Sequence, residues 1–214
     1  QLSLDTVIAV PVDAFKTGGS QVYLDPKETF PLDDMLYALM IQSANDAAVA
    51  LAYHVGGSKE GFIELMNQKA AALGMTKTKF NSVHGLPPNT REGQEPDVTS
   101  CRDLSILARE LVRHPEVLRY TSTVRRPFRD GKFIMENHNR LLGSLPGCDG
   151  LKTGYYSAAG YSHILTAQRN GRRVIAVVGG AKERKTRDRI GAELVNRGFA
   201  KLPPPPPPPP PKPV

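Results

Sequence analysis

Nine consecutive prolines, Pro203 to Pro211, set the hardest limit on what this chain can fold into. Proline fixes φ and has no backbone N–H, so the run can neither continue a helix nor join a sheet. It is expected to stand as a polyproline II tail, about 28 Å long at ~3.1 Å per residue when fully extended. Residues 203–214 are thus read as a tail and residues 1–202 as one domain. A hydrophobic fraction of 40% is enough to give that domain a packed core.

Periodicity divides the domain into a helical stretch and a strand-rich stretch. Leu4 to Val10 has strand content and runs into Pro11. The short apolar segment Val22-Tyr23-Leu24 follows a loop. Pro31 to Ile41 reads as a helix, with Leu32, Met35, Leu36, Leu39 and Met40 at helical spacing. Ser43-Ala44-Asn45 interrupts it, and Asp46 to Val55 resumes as an alanine-rich helix stopped by Gly56-Gly57. Ser58 is placed to cap the helix Lys59 to Leu73, which Gly74 ends. Phe80 to Pro96 is mostly loop, and Ser100 to Arg113 is helical again. Val124 to Met135 reads as a hairpin turning at Asp130-Gly131. Strands Tyr161 to Ala167 and Val174 to Val178 form a second hairpin through Asn170-Gly171, and Arg184 to Phe199 is a closing helix.

The formal net charge of +7 is concentrated between Arg169 and Lys201, where ten Lys or Arg stand against three Asp or Glu. A solvated helix face is the plain reading, and attraction of anionic partners is the other. No nucleic-acid-binding module is recognisable. No apolar run of 18 residues is present to span a membrane, and no signal peptide opens the chain. Cys101 and Cys148 lie outside any C-x-x-C pattern, and sequence leaves their pairing open. The five histidines show no metal-ligand spacing, and no cofactor motif appears. His84, before Gly85-Leu86 in a loop, reads as a structural hydrogen-bonding residue, and Cys148 as a small packing residue.

Two short patterns carry chemistry. Lys152-Thr153-Gly154 is read as opening a strand at a sheet edge. The lysine supplies positive charge, and the threonine hydroxyl can bond a carboxylate. Glycine lets a ligand backbone approach closely. Ser43 and Asn45, at i and i+2 in an inter-helix loop, can point into one cleft, the serine relaying a proton and the amide holding a substrate. Helix capping is the alternative for both.

With these patterns in order, the chain resembles the low-molecular-mass penicillin-binding D-alanyl-D-alanine carboxypeptidases. The resemblance runs from about Asp5 to Ala200. It includes Ser43-Ala44-Asn45-Asp46-Ala47-Ala48, Leu73-Gly74-Met75, His84-Gly85-Leu86, Asn137-x-Asn139, Asp149-Gly150-Leu151-Lys152-Thr153-Gly154 and Ala159-Gly160-Tyr161. Penicillin-interacting serine enzymes carry S-x-x-K, then S-D-N or a variant, then K-T-G. No serine in these 214 residues has lysine three positions on. The resemblance therefore implies an incomplete catalytic domain over residues 1–202, with the nucleophile motif upstream.

The implied fold is the α+β, β-lactamase/transpeptidase-like type: an antiparallel sheet flanked by helices, with a helical lobe. The implied activity is extracytoplasmic trimming of the terminal D-alanine from peptidoglycan stem peptides through an acyl-enzyme, and β-lactams are implied ligands. Ser43, Asn45 and Lys152 would be catalytic. Thr153, Gly154, Tyr155 (through its backbone N–H) and Arg187 would bind substrate, with Arg184 an alternative to Arg187. A non-catalytic remnant that binds cell-wall peptide or acts as a scaffold is the second reading. A true β-lactamase is a third, disfavoured because no E-x-x-L-N segment is present.

Polyproline II has no internal hydrogen bonds and offers no apolar face. Deleting Pro203–Val214 is therefore expected to leave the thermal midpoint unchanged within about a degree. A fall of several degrees in a thermal melt would show that the tail packs on the domain.

Overall fold

In a computed structural model, residues 2–203 are described. The N-terminal part comprises β1 (Val7–Ala9), α1 (Val12–Phe15), β2 (Thr29–Pro31), α2 (Leu32–Met40), α3 (Asn45–Gly56) and α4 (Lys59–Ala72). After a loop with one 3-10 turn come α5 (Cys101–Leu111), α6 (Glu116–Thr121) and the hairpin β3 (Arg125–Phe128) and β4 (Phe133–Glu136). The chain then forms β5 (Cys148–Tyr156), β6 (Gly160–Arg169), β7 (Arg172–Ala181) and α7 (Arg184–Lys201). This is α+β architecture: every strand pairing among the described residues is antiparallel, α1 to α6 precede the β5 to β7 strands, and α7 follows them.

Most elements fall where the periodicity puts them. α2 buries Leu32, Met35, Tyr37 and Ala38, while Asp33 and Asp34 sit in its first turn, where the helix dipole favours acids. α3 is the central helix, buried continuously from Asn45 to Ala52. Its small side chains allow that, since alanine lets neighbouring elements approach on every side. Ser58 caps α4 by accepting from the Gly61 N–H at 2.9 Å. Asn170 and Gly171 both adopt positive φ, 49° and 71°, the geometry of the tight turn that joins two twisted strands. Val22-Tyr23-Leu24 forms no strand, because a side chain rather than a neighbouring strand satisfies its backbone. α6 had no periodic apolar pattern and was not anticipated. One expectation needs correction. Lys152-Thr153-Gly154 lies within β5 rather than at its start.

The sheet that positions the site has the order β5-β6-β7, so β5 is an edge strand among the described residues. Thr153 faces His163 and Tyr155 faces Tyr161 across the β5–β6 pair. α7 covers β6 and β7, burying Leu165, Ala167, Ala176 and Val195 in a second core. Gly191 is what lets α7 lie so close: a Cβ there would come within 2.3 Å of Leu165 Cδ1. The first core is larger and joins β1, β2, α1, α2, α3 and the β3–β4 hairpin.

The Asp46 carboxylate fastens the first core to the loop before it. Fully buried, it accepts from the N–H groups of Val22 (3.2 Å), Leu24 (3.1 Å) and Ala47 (2.9 Å). The bonds to Val22 and Leu24 replace the strand partners that this segment lacks. Removing the acceptor leaves buried donors unsatisfied, at about 1–3 kcal/mol each. Asp46→Ala is expected to cost about 3 kcal/mol or more in a urea melt. A loss under about 1 kcal/mol would show that water replaces the carboxylate.

Candidate active site

Ser43 sits in the turn between α2 and α3 with φ 57°, in the left-handed region that non-glycine residues seldom adopt. The turn is held from both sides. Ala44 N–H reaches back to the Ala38 carbonyl at 3.0 Å, and Asn45 N–H donates to the Ser20 carbonyl at 2.8 Å. The capping alternative fails, since the residue at the N-cap of α3 is Ala44 and no side chain caps that helix. Asn45 instead donates its amide to the Gly18 carbonyl at 3.0 Å, linking α3 to the loop beneath the turn.

Lys152 projects from β5 to meet this turn. Its Nζ donates to Ser43 Oγ at 2.6 Å and to the Thr153 carbonyl at 2.7 Å. The residue as a whole is half-buried, but its ammonium is enclosed. Burial, with the Arg187 charge adding to it, lowers the pKa to about 8. An ammonium so placed remains charged at neutral pH yet sits close to losing a proton.

Two clefts adjoin this pair. One, of about 740 Å³, lies along β5 and is lined by Ser43, Thr153, Gly154, Tyr155, His138 and Arg187, with Arg184 also on its wall. The other, of about 600 Å³, contains Asn45, Lys152, His84 and Leu86 and shares Ser43 and Thr153 with the first. Every candidate site residue thus lines one or both. Arg187 is 3% exposed and is held by Asp188 Oδ1, which accepts from its Nε at 2.9 Å and its Nη2 at 2.6 Å. Arg184 is exposed. The basic C-terminal segment is therefore not simply a solvated face: Arg187 is buried, and Arg173 makes a paired contact with Asp149 at 2.8 Å. The Tyr155 ring is exposed and stacks on Tyr161 with centroids 4.1 Å apart.

Sequence reasoning missed Asp188, His138 and His163. His138 lies in the first cleft, where burial and the charges of Lys152, Arg187 and Arg140 lower its pKa. Its place between Asn137 and Asn139 was the available clue. His84 accepts from the Leu86 N–H at 3.1 Å, the structural role expected of it. Cys101 and Cys148 are unpaired, and burial raises the Cys148 thiol pKa, in keeping with a packing role.

A serine hydroxyl bonded to a lysine of lowered pKa thus lies beside the edge strand of the described sheet. Comparison with known proteins gives the chain a family. A profile described as D-alanyl-D-alanine carboxypeptidase matches residues 1–183, and this chain belongs to that family of serine peptidases. It is 38% identical over 190 residues to D-alanyl-D-alanine carboxypeptidase DacF of Bacillus subtilis, covering 87% of this chain and 47% of the relative. It is 37% identical over 206 residues to DacC of Escherichia coli, covering 93% and 50%. The chain spans about half the length of these relatives.

Among solved structures it resembles penicillin-binding protein D2 of Listeria monocytogenes in its ampicillin-bound form. The TM-score is 0.81 and the identity 35%, covering 92% of this chain and 78% of that one. It also resembles penicillin-binding protein 6B of E. coli, with a TM-score of 0.84 and 32% identity over 92% and 62% of the two chains. The fold is the β-lactamase/transpeptidase-like α+β type. No helix among the described residues is long and apolar enough to cross a membrane.

The lowered Lys152 pKa fixes a sign for stability. Unfolded lysine titrates near 10.5, so between about 8 and 10.5 the unfolded chain binds more protons than the folded one. The contribution of this group to stability therefore rises with pH across that window. Urea melts at pH 7 to 10 are expected to show wild type gaining on Lys152→Met as pH climbs. A constant difference would mean that Lys152 titrates as an ordinary surface lysine.

Proposed function

We propose that residues 1–202 supply the substrate-binding half of a serine D-alanyl-D-alanine carboxypeptidase site, acting outside the cytoplasm on peptidoglycan stem peptides and acylated by β-lactams. The observation that carries this reading is the 2.6 Å contact between Lys152 Nζ and Ser43 Oγ at the junction of two clefts. In this reading the S-x-x-K pair, which is not among the 214 residues, enters the cleft that contains Asn45 and Lys152.

The nucleophilic serine attacks the carbonyl between two terminal D-alanines, forms an acyl-enzyme and releases D-alanine, and water then hydrolyses the ester. Ser43 Oγ, fixed by Lys152, passes the proton to the leaving amine. The positive charge of Lys152 holds the Ser43 oxygen as acceptor toward itself and leaves its O–H free to donate. Asn45 orients the substrate amide from the start of α3. The β5 edge binds the extended peptide as an added strand, with Gly154 admitting its backbone and the Tyr155 N–H serving as half of an oxyanion hole. Thr153 and Arg187 take the terminal carboxylate, the guanidinium being pre-set by Asp188.

In a protein that carries the S-x-x-K segment, Lys152→Ala is expected to slow acylation by a fluorescent penicillin about 100-fold or more, with the fold intact by circular dichroism. Acylation near the wild-type rate would remove Lys152 from the site. The 214-residue chain by itself is expected to show no covalent label. A label surviving denaturation would place a nucleophile within it, with Ser43 the first to examine.

A further inference from the structure

We propose that His163 is a positioning residue linked to the carboxylate pocket, taking up a proton when an anionic group settles against Thr153 and Arg187. The inference rests on the carboxylate-binding reading given above and adds to it a buried group that this mechanism does not use.

His163 lies on β6, 1% exposed, and neither ring nitrogen has a hydrogen-bond partner among the described residues. Buried polar atoms are nearly always satisfied, so two orphans on one ring need a reason. The position supplies one. His163 is directly opposite Thr153 in the β5–β6 register, so the two side chains share a sheet face about 5 Å apart. α7 lies over that face and brings Asp188 Oδ1 to 3.7 Å from His163 Nδ1, too long for a direct bond in the neutral state. The same oxygen holds Arg187. The imidazole is thus wedged between the threonine and the carboxylate that presets the arginine.

Three charged groups act on His163: Asp188 and Arg187 from α7, and Lys152 from β5. Its partner on β7 is the apolar Val178. Burial outweighs Asp188, and together with Arg187 and Lys152 keeps the imidazole pKa below its ordinary value. With the pocket open, the ring is neutral near pH 7. A carboxylate arriving at Thr153 and Arg187 offsets those two cationic charges. The imidazolium then becomes favourable and can close its 3.7 Å gap to Asp188. Linkage fixes the sign: an anion that raises the His163 pKa must itself bind more tightly as pH falls through the window between the free and bound values. The ratio of affinities below and above that window equals the factor by which the bound anion strengthens proton binding at His163.

The test is calorimetric, on the full-length protein, with a D-alanyl-D-alanine analogue whose scissile amide is replaced by an ethylene link, so that nothing is cleaved. Titrations at pH 6 in two buffers of different ionisation enthalpy give the protons taken up per ligand. Lys152, with a pKa of about 8, stays charged at that pH and adds nothing. Wild type is expected to take up a fraction of a proton, and the carboxamide form of the ligand none. His163→Leu and His163→Gln are expected to remove the His163 share of the uptake while still binding, whereas His138→Gln leaves that share in place. Binding without uptake in wild type, or uptake lost only with His138→Gln, would overturn the proposal and leave the carboxylate pocket standing. No saturable binding at any pH would overturn the pocket itself and the proposal with it. The His163 Cε1–H resonance in wild type gives an independent reading: its midpoint is expected to rise on ligand addition, and an unmoved midpoint is the contrary result.

Discussion

One buried carboxylate holds the helical half of this protein in register with its site. Asp46 sits at the start of α3 and gathers the backbone of Val22 and Leu24 onto the helix it begins. A charge in such a place is tolerable only because it is fully engaged by donors. Its effect reaches past the bonds it makes. With the 18–24 segment fixed, the Gly18 and Ser20 carbonyls are in place to receive Asn45. Asn45 in turn closes the turn that forces Ser43 into its left-handed conformation. The hydroxyl that meets Lys152 is therefore positioned by a chain of contacts that starts at a residue lining neither cleft.

What the sequence shows plainly are the features set by local physics. Asn170-Gly171 names its own turn type, Ser58 its cap, and the spacing of Leu32, Met35 and Leu36 its helix. The candidate site was legible for a different reason: Ser43-Ala44-Asn45 and Lys152-Thr153-Gly154 stand out as an ordered pair within the family resemblance, and the fold brings Ser43 and Lys152 to 2.6 Å across 109 positions. What escaped were residues whose meaning is created by tertiary contact. Asp188 looks like one more charge on a basic helix until α7 packs and sets it between Arg187 and His163. The 22–24 segment has strand composition, but a side chain claimed its donors first. Arg187 could be distinguished from Arg184 only by burial, which depends on how the helix is rotated over the sheet.

Around Lys152 the fold sets two tendencies against each other. Enclosure disfavours the ammonium and draws its pKa down, as does Arg187. The contacts to Ser43 Oγ and the Thr153 carbonyl favour the charged donor. Enclosure wins only in part, leaving a group that is charged at neutral pH but readily deprotonated. A fully solvated lysine would lack the second property and a fully sequestered one the first. The two clefts meeting at this point explain how the intermediate state arises, since the ammonium is walled by protein while its neighbours open to space on either side.

The outer edge of β5 carries a consequence for how such a chain behaves in company. An exposed strand edge pairs with any extended backbone, including that of another copy. Proteins usually blunt such edges with proline, a bulge or a covering loop. Here the irregularity in the β5–β6 register falls between Cys148 and Gly150, at the far end from Gly154. A bulge or proline nearer Gly154 would interrupt the ladder that any added strand uses. Among the described residues the edge is thus left unblunted beside Gly154. What flanks it is cationic: Arg184 and Arg187 share the cleft along β5, and like charges on two copies repel.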